Sequence, residues 1–251
     1  MKGKINPVSL LKDKIGLNEN RALLNTSGIV TFLNLYSYYL YRENVEDYRG
    51  YDLIFCDGIL FQKMVSLIGL KPKRVSFDMT SLAPLVFKDA IANNKKIAIV
   101  GSDANSITLM NDLLKEEYPE LRVVYSRHGY FADQNEFARC LDKLLEIDPH
   151  IVIAGLGTPL QDQFLSQLKS KGWFGVGYTC GGFIHQTAKK GISYYPVFVD
   201  KLNLRWLYRI YDEPKLMRRY FLYYPYSAML FIKDIISYKL KKKLIKLRHN
   251  L

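Results

Sequence analysis

Five short apolar runs rich in Ile, Val and aromatic residues constrain this chain more than any other feature: residues 29–33, 51–56, 96–100, 121–125 and 150–154, each followed by a stretch of helical period. Near-continuous apolar runs suit strands buried on both faces, and the helical stretches between them are the crossovers that parallel strands require. The spacing predicts helices over 37–43, 59–68, 81–92, 104–117, 136–146 and 160–170, with a last strand in 173–178. The expected class is α/β: a Rossmann-like, mostly parallel sheet flanked by helices on both faces. With 251 residues, nearly half of them hydrophobic, the chain can bury such a core.

After the last strand the pattern changes to aromatic-rich helical segments punctuated by Pro196, Pro214 and Pro225. We place a boundary near Asp200, giving an α/β body over 1–200 and a helical appendage over 201–251. Charge follows the same division. From Arg205 to Leu251 there are twelve Lys and Arg against three acids, so nine of the net +12 charges sit in the appendage. Between Ala228 and Leu247, apolar Met229, Leu230, Phe231, Ile232, Ile235, Ile236, Leu240, Leu244, Ile245 and Leu247 are interleaved with Lys233, Lys239, Lys241, Lys242, Lys243 and Lys246. That is the composition of a basic amphipathic helix lying in an anionic membrane surface, expected to act through residues 215–248. A helix packed on the body with a solvated lysine face is the other reading. Nucleic acid is not an expected partner, because the body carries no recognisable nucleic-acid module.

Nothing in residues 1–20 has the continuous apolar core of a signal peptide, and no run approaches the roughly 20 apolar residues of a membrane-spanning helix. Cys56, Cys140 and Cys180 are far apart, with no C-x-x-C pair, as suits reduced thiols. The expectation is a cytoplasmic protein, peripheral on the inner face of the cell membrane.

The chemistry should lie where the strands end. In open α/β sheets the ligand sits beyond the carboxyl ends of the strands, and here those ends read Asn34, Asp57-Gly58, Gly101-Ser102-Asp103, His128-Gly129 and Gly155-Leu156-Gly157. The turn from Gly155 to Asp162 follows a strand and opens a helix, a place that favours an anion. It is not G-x-G-x-x-G, and a tight turn with Pro159 at the first helical position is the simpler account. Asp57, behind Phe55 and Cys56, is a candidate general base or else an ordinary helix cap. Arg74 with Asp78 four residues on could bind a diphosphate and position a hydroxyl, or form a basic surface turn. His128 and His185 are isolated, without metal-ligand spacing, and there is no Asp-x-Asp pair. A leaving pyrophosphate would therefore need cationic side chains to neutralise it.

Taken together, these stretches resemble the WecG/TagA/CpsF glycosyltransferases from about Gly28 to Tyr220. The resemblance rests on Thr31-Phe32-Leu33-Asn34 with Tyr36-Ser37-Tyr38, on Asp57-Gly58, on Arg74 with Asp78, on Gly155-x-Gly157-x-Pro159-x-Gln161-Asp162, and on Trp206-Leu207-Tyr208-Arg209 followed by Glu213-Pro214 and Arg218-Arg219-Tyr220. It implies an inverting, metal-independent enzyme that needs no cofactor and moves a sugar, possibly an N-acetylhexosamine, from a UDP-sugar donor to an undecaprenyl-pyrophosphate-linked sugar. The product would be a capsule, O-antigen or teichoic acid unit. It implies Asp57 as the base, with Asn34, Thr31 and Gln161 beside it in the catalytic group. Arg74, Asp78, Arg209, Arg218 and Arg219 then match substrate-binding positions, as do the turn residues Gly101, Gly129, Tyr130, Gly155, Gly157 and Pro159.

The chain departs from the family's pattern at Phe32-Leu33-Asn34, Phe77, Gly182-Phe183-Ile184 and Arg205. Two rival readings stay open at this point: an inactive membrane-surface scaffold, and a nucleotide-binding oxidoreductase on the same α/β body.

Overall fold

Why most of the strands are apolar is plain from the sheet they build. Six strands, β1 (Gly28–Leu33), β2 (Leu53–Cys56), β3 (Ile97–Gly101), β4 (Val123–Arg127), β5 (Ile151–Gly155) and β6 (Val176–Thr179), form one sheet in the order β2-β1-β6-β5-β3-β4. Every pairing is parallel. The computed structural model describes residues 5–17, 27–191, 199, 202 and 204–248. The expected boundary at Asp200, and Pro196 with it, lie outside the described residues.

Alternate residues of each strand feed two cores. Ile29, Leu33, Ile54, Ala98, Val100, Val152 and Ala154 face one side, where α1 (Pro7–Lys14), α2 (Leu35–Glu43), α3 (Ile59–Ser66), α6 (Gln134–Ile147) and α7 (Leu160–Ser170) pack. Val30, Phe55, Ile97, Ile99, Ile153 and Tyr178 face the other, against α4 (Leu82–Ala92), α5 (Ala104–Glu117) and α8 (Phe183–Lys190). Burial of both faces is what a parallel sheet with short crossovers demands. The predicted helices over 104–117 and 160–170 match α5 and α7 end to end, and the last strand lies at 176–179 rather than 173–178.

After α8 the described chain resumes in α9 (Arg205–Asp212), a 3-10 turn (Pro214–Leu216), a π turn (Arg219–Tyr223) and the 25-residue α10 (Tyr224–Arg248). The apolar residues of α10 do not form a single membrane-facing stripe, as the tail's composition suggested. Phe231 is fully buried in the core of the α1/α2 face, with its ring centroid 4.9 Å from Tyr38 and 5.9 Å from Phe61, and Leu230 and Ile235 are buried too. The acid between them finds its partners in the same register. Asp234 is buried, and accepts hydrogen bonds from Tyr38 Oη at 2.9 Å and Arg42 Nε at 2.8 Å, so the helix can turn only this face to the body. Ser227 adds a hydrogen bond to the Leu35 carbonyl. Ile232, Ile236, Leu240, Leu244 and Leu247 remain exposed.

The chain reverses the direction of its crossovers between β3, which leads outward to β4, and β5, which leads inward to β6. A crevice opens at such a switch point because the helices after the two strands diverge to opposite faces. Gly101 and Gly155 sit side by side there, and a Cβ on Gly101 would lie 2.5 Å from the Gly155 carbonyl oxygen. Only glycine lets the two strand ends close up.

Candidate active site

The carboxyl ends of the strands open into one cleft of about 1410 Å³, roofed on one side by α9 and the π turn. Asn34, Asp57, Gly155, Gly157, Gln161, Arg74, Asp78, Tyr130, Arg209 and Arg219 all line it. Turns some 120 residues apart in sequence thus converge on a single site, as the strand-end rule predicts.

The floor of the cleft is a row of helix N-termini. At α2 and α5 the first-turn N–H groups are taken by side chains: Asn34 Oδ1 accepts from Tyr36 N and Ser37 N, and Asp103 Oδ1 accepts from Ser106 N. At α3, α7 and α8 the cap positions are Gly58, Pro159 and Gly182, and no side chain caps them. Gln161 N and Asp162 N bond the Gly157 and Pro159 carbonyls and Phe183 N the Cys180 carbonyl; the remaining first-turn N–H groups are left for a ligand, and the helix ends add partial positive charge. Gly58 makes this possible at α3, since its φ of 92° is a conformation that an L side chain rarely takes. Pro159 occupies the cap of α7, one residue before the first helical position that the sequence suggested, and is not itself among the lining residues.

Asp57 sits at the β2 end, between Phe55 and α3. Burial pushes its carboxyl above the ordinary 3.8, nearby Asp78 pushes the same way, and Arg74, Arg209 and Arg219 pull it back. Among the described residues no hydrogen bond or ion pair engages its carboxylate, which leaves both oxygens for a substrate. Arg74 is held at the cleft by its bridge to Cys56, so it is not the free surface turn its neighbours Lys71 and Lys73 suggested. Arg219 stacks over Tyr36 at 4.3 Å and donates to Asn34 Oδ1 at 3.1 Å, which ties the π turn to the end of β1.

Several residues have other employment than expected. Thr31 is fully buried and does not line the cleft; its hydroxyl donates to Asp162 at 2.8 Å and accepts from Thr179 at 2.9 Å. Asp162, with its carboxyl pushed up to about 7 by burial, is thereby locked between β1 and β6. Asp78 spends its carboxylate on Ser76, Thr80 and Arg205, the last an ion pair of 3.1 Å that fastens α9 across the cleft. Gln161 is almost buried: its Oε1 accepts from Gly181 N at 3.1 Å and its Nε2 donates to Thr158 at 3.2 Å, bracing the β5 and β6 turns together. Gly101 and Gly129 pack behind the lining, with Gly129 held tight against Leu156 and Gly101. Arg218 is exposed outside the cleft, over Tyr223.

Residues 8–241 match the glycosyl transferase WecG/TagA/CpsF family. This chain belongs to that family. It is a glycosyltransferase, as the resemblance in the strand-end turns implied. It is 36% identical over 218 residues to a UDP-Gal:alpha-D-GlcNAc-diphosphoundecaprenol beta-1,4-galactosyltransferase of Shigella boydii, an alignment covering 86% of this chain and 91% of that protein. It is 26% identical over 168 residues to an N-acetylglucosaminyldiphosphoundecaprenol N-acetyl-beta-D-mannosaminyltransferase of Bacillus spizizenii, covering 67% of this chain and 63% of that protein. A Bacillus subtilis protein of the same description is 26% identical over 153 residues, covering 59% of this chain and 58% of that protein.

For the glycosyltransferase, sequence reasoning missed the residues that work through others. In sequence Arg205 stands out only as a departure from the family's pattern, and its pairing with Asp78 depends on α9 folding back over the sheet. His185 is isolated in sequence. It lies in the cleft in the first turn of α8, with Nδ1 3.1 Å from Ser106 Oγ. No local spacing links residues 79 apart, so no sequence signal could have found that pair.

Proposed function

We propose that this enzyme transfers a hexose from a UDP-sugar to an undecaprenyl-diphosphate-linked sugar, with inversion and without a metal ion. The observation that carries the reading is Asp57: a carboxylate in the cleft, engaged by no other side chain among the described residues, its proton affinity raised by burial and by Asp78 against the opposing pull of Arg74, Arg209 and Arg219. In the proposed step Asp57 accepts the proton of the acceptor hydroxyl while that oxygen attacks the anomeric carbon. The bond from that carbon to the diphosphate breaks on the opposite face, and UDP leaves with the electron pair. Arg74, Arg209 and Arg219, with the uncapped ends of α3, α7 and α8, would neutralise the growing charge.

The donor sugar is proposed as galactose first and N-acetylmannosamine second, because the Shigella relative is the more similar and aligns over nearly its whole length. The decisive experiment measures UDP release from a panel of UDP-sugars with a short-chain lipid-diphosphate GlcNAc acceptor. Acceptor-dependent release that persists in EDTA is the expected result. Release abolished by EDTA and restored by magnesium would overturn the metal-free step.

The lipid acceptor calls for a membrane-facing surface, and we assign it to the appendage after residue 200. No helix among the described residues is long and apolar enough to cross a membrane. Yet Tyr211, Met217, Phe221, Leu222, Met229, Ile236, Leu240 and Leu244 are all more than half exposed, beside exposed Lys239, Lys241, Lys242, Lys243 and Lys246. Apolar side chains at the acyl boundary with lysines at the headgroups would hold the protein on an anionic surface. With about 1 kcal/mol from each basic residue near the surface, Lys→Gln at those five positions is expected to weaken binding to phosphatidylglycerol vesicles at least 100-fold in a sedimentation assay. Binding unchanged by the five substitutions, and insensitive to salt, would rule that contact out.

A further inference from the structure

The cleft runs across the sheet, and its two ends differ in chemistry. Asp57 ends β2 and Asp103 follows β3, four strand intervals away in the order β2-β1-β6-β5-β3. At ~4.8 Å per interval the two ends lie on the order of 19 Å apart. That span suits an extended nucleotide sugar whose reacting carbon lies near Asp57 and whose diphosphate lies over the uncapped ends of α7 and α8. The nucleoside then falls at the β3 end, where Tyr130 presents a ring 72% exposed at the rim and Ser102, Asp103 and His185 line the wall.

Three side chains at that end form a chain of hydrogen bonds whose direction can be worked out. Ser106 is buried, with its Oγ 2.7 Å from Asp103 Oδ2 and 3.1 Å from His185 Nδ1. A carboxylate only accepts, and its hydrogen bonds with Ser106 hold Asp103 in that form, at about 2. The single hydroxyl proton of Ser106 therefore goes to Asp103. Ser106 Oγ is left as an acceptor towards His185, so Nδ1 of the imidazole must carry a proton. Asp103 itself is 3.7 Å from Nδ1, too far to replace Ser106 in this role. In the neutral ring the lone pair is then on Nε2. His185 is half-exposed in the cleft, free to offer that lone pair to a ligand hydroxyl.

We propose that His185 accepts a hydrogen bond through Nε2 from a ribose hydroxyl of the nucleotide donor, in a tautomer selected by Ser106 and Asp103. This deepens the donor assignment above and rests on it. His185 is the contact residue, and Ser106 and Asp103 are positioning residues that keep the accepting nitrogen on the ligand side.

The test compares calorimetric binding of UDP, 2′-deoxy-UDP and 3′-deoxy-UDP to the full chain and to His185→Ala and Ser106→Ala. The wild type is expected to bind UDP about 5–10-fold more tightly than one of the two deoxy nucleotides, the range for one hydrogen bond. His185→Ala should bind UDP and that deoxy nucleotide equally, and Ser106→Ala should lose part of the discrimination while leaving the His185 ring present. In the transfer assay His185→Ala should raise the donor KM by a similar factor and leave kcat and the acceptor KM close to wild type. Discrimination that survives in His185→Ala, or is absent from the wild type, overturns the assignment of His185 but leaves the UDP donor standing. A wild type that binds none of the three nucleotides overturns the donor reading and this inference with it.

Discussion

Asp57→Asn is expected to lower sugar transfer by about 10²–10⁴-fold, the range for removal of a general base, with little change in the KM of either substrate. The amide keeps the shape and the hydrogen-bonding reach of the carboxylate but cannot take a proton. The pH dependence should carry the same signature. A carboxyl with its pKa raised by burial holds its proton to a higher pH than a free one, and the protonated form is no base. The rate should fall as pH drops through that raised value, so the acid limb lies above the ordinary 3.8, and the limb should vanish from the residual activity of the Asn variant. Stability gives an internal control. A carboxyl whose folded pKa is raised costs stability once it ionises, so Asp57→Asn should melt no lower than wild type at pH 8. A variant as active as wild type would send the catalytic proton elsewhere in the cleft.

Phe231→Ala is expected to destabilise the whole protein by about 3–5 kcal/mol, because its fully buried ring fills the space between Tyr38 and Phe61 in the same core as the sheet. For a chain of this size that lowers Tm by roughly 10 °C in calorimetry. The prediction bears on how the appendage is attached. We propose that residues 201–251 work as a membrane-facing unit, but the first half of α10 is core, sealed by the Asp234 contacts to Tyr38 and Arg42. Were the helix an independent appendage, the substitution would leave the melting of the α/β body untouched. Seating α10 in the body also gives its exposed end a defined direction relative to the cleft, so a lipid-borne acceptor and the catalytic turns can be held in one geometry.

How much of this could be read from residues alone depends on how local the signal is. Apolar runs with β-branched residues report burial on both faces, and helical period between them reports crossovers; both are set within ten or fifteen residues, which is why α5 and α7 match their sequence ranges end to end. The turns Asp57-Gly58 and Gly155-Leu156-Gly157 were legible for a related reason. A strand that ends at glycine and opens a helix must place backbone N–H groups beyond the sheet, whatever the rest of the chain does. Family membership followed from the order of those turns.

What the residues of any one segment do not encode is which partner a polar side chain finds. Thr31 and Asp78 both read as substrate groups, but Thr31 turns inward to Asp162, and Asp78, though it lines the cleft, has its carboxylate engaged by Ser76, Thr80 and Arg205. The composition of the lysine-rich tail reads as one amphipathic stripe, but Leu230, Phe231 and Ile235 face protein, in the register that also lets buried Asp234 meet Tyr38 and Arg42. His185 was a lone histidine until α8 packed against α5 and brought Ser106 to its ring. The sequence by itself determined the layers, the sheet and the glycine turns, because periodicity and backbone sterics act locally. Only the tertiary structure decided which side chains face the substrate, because the cost of leaving a buried polar group unpaired is settled between segments a hundred or more residues apart.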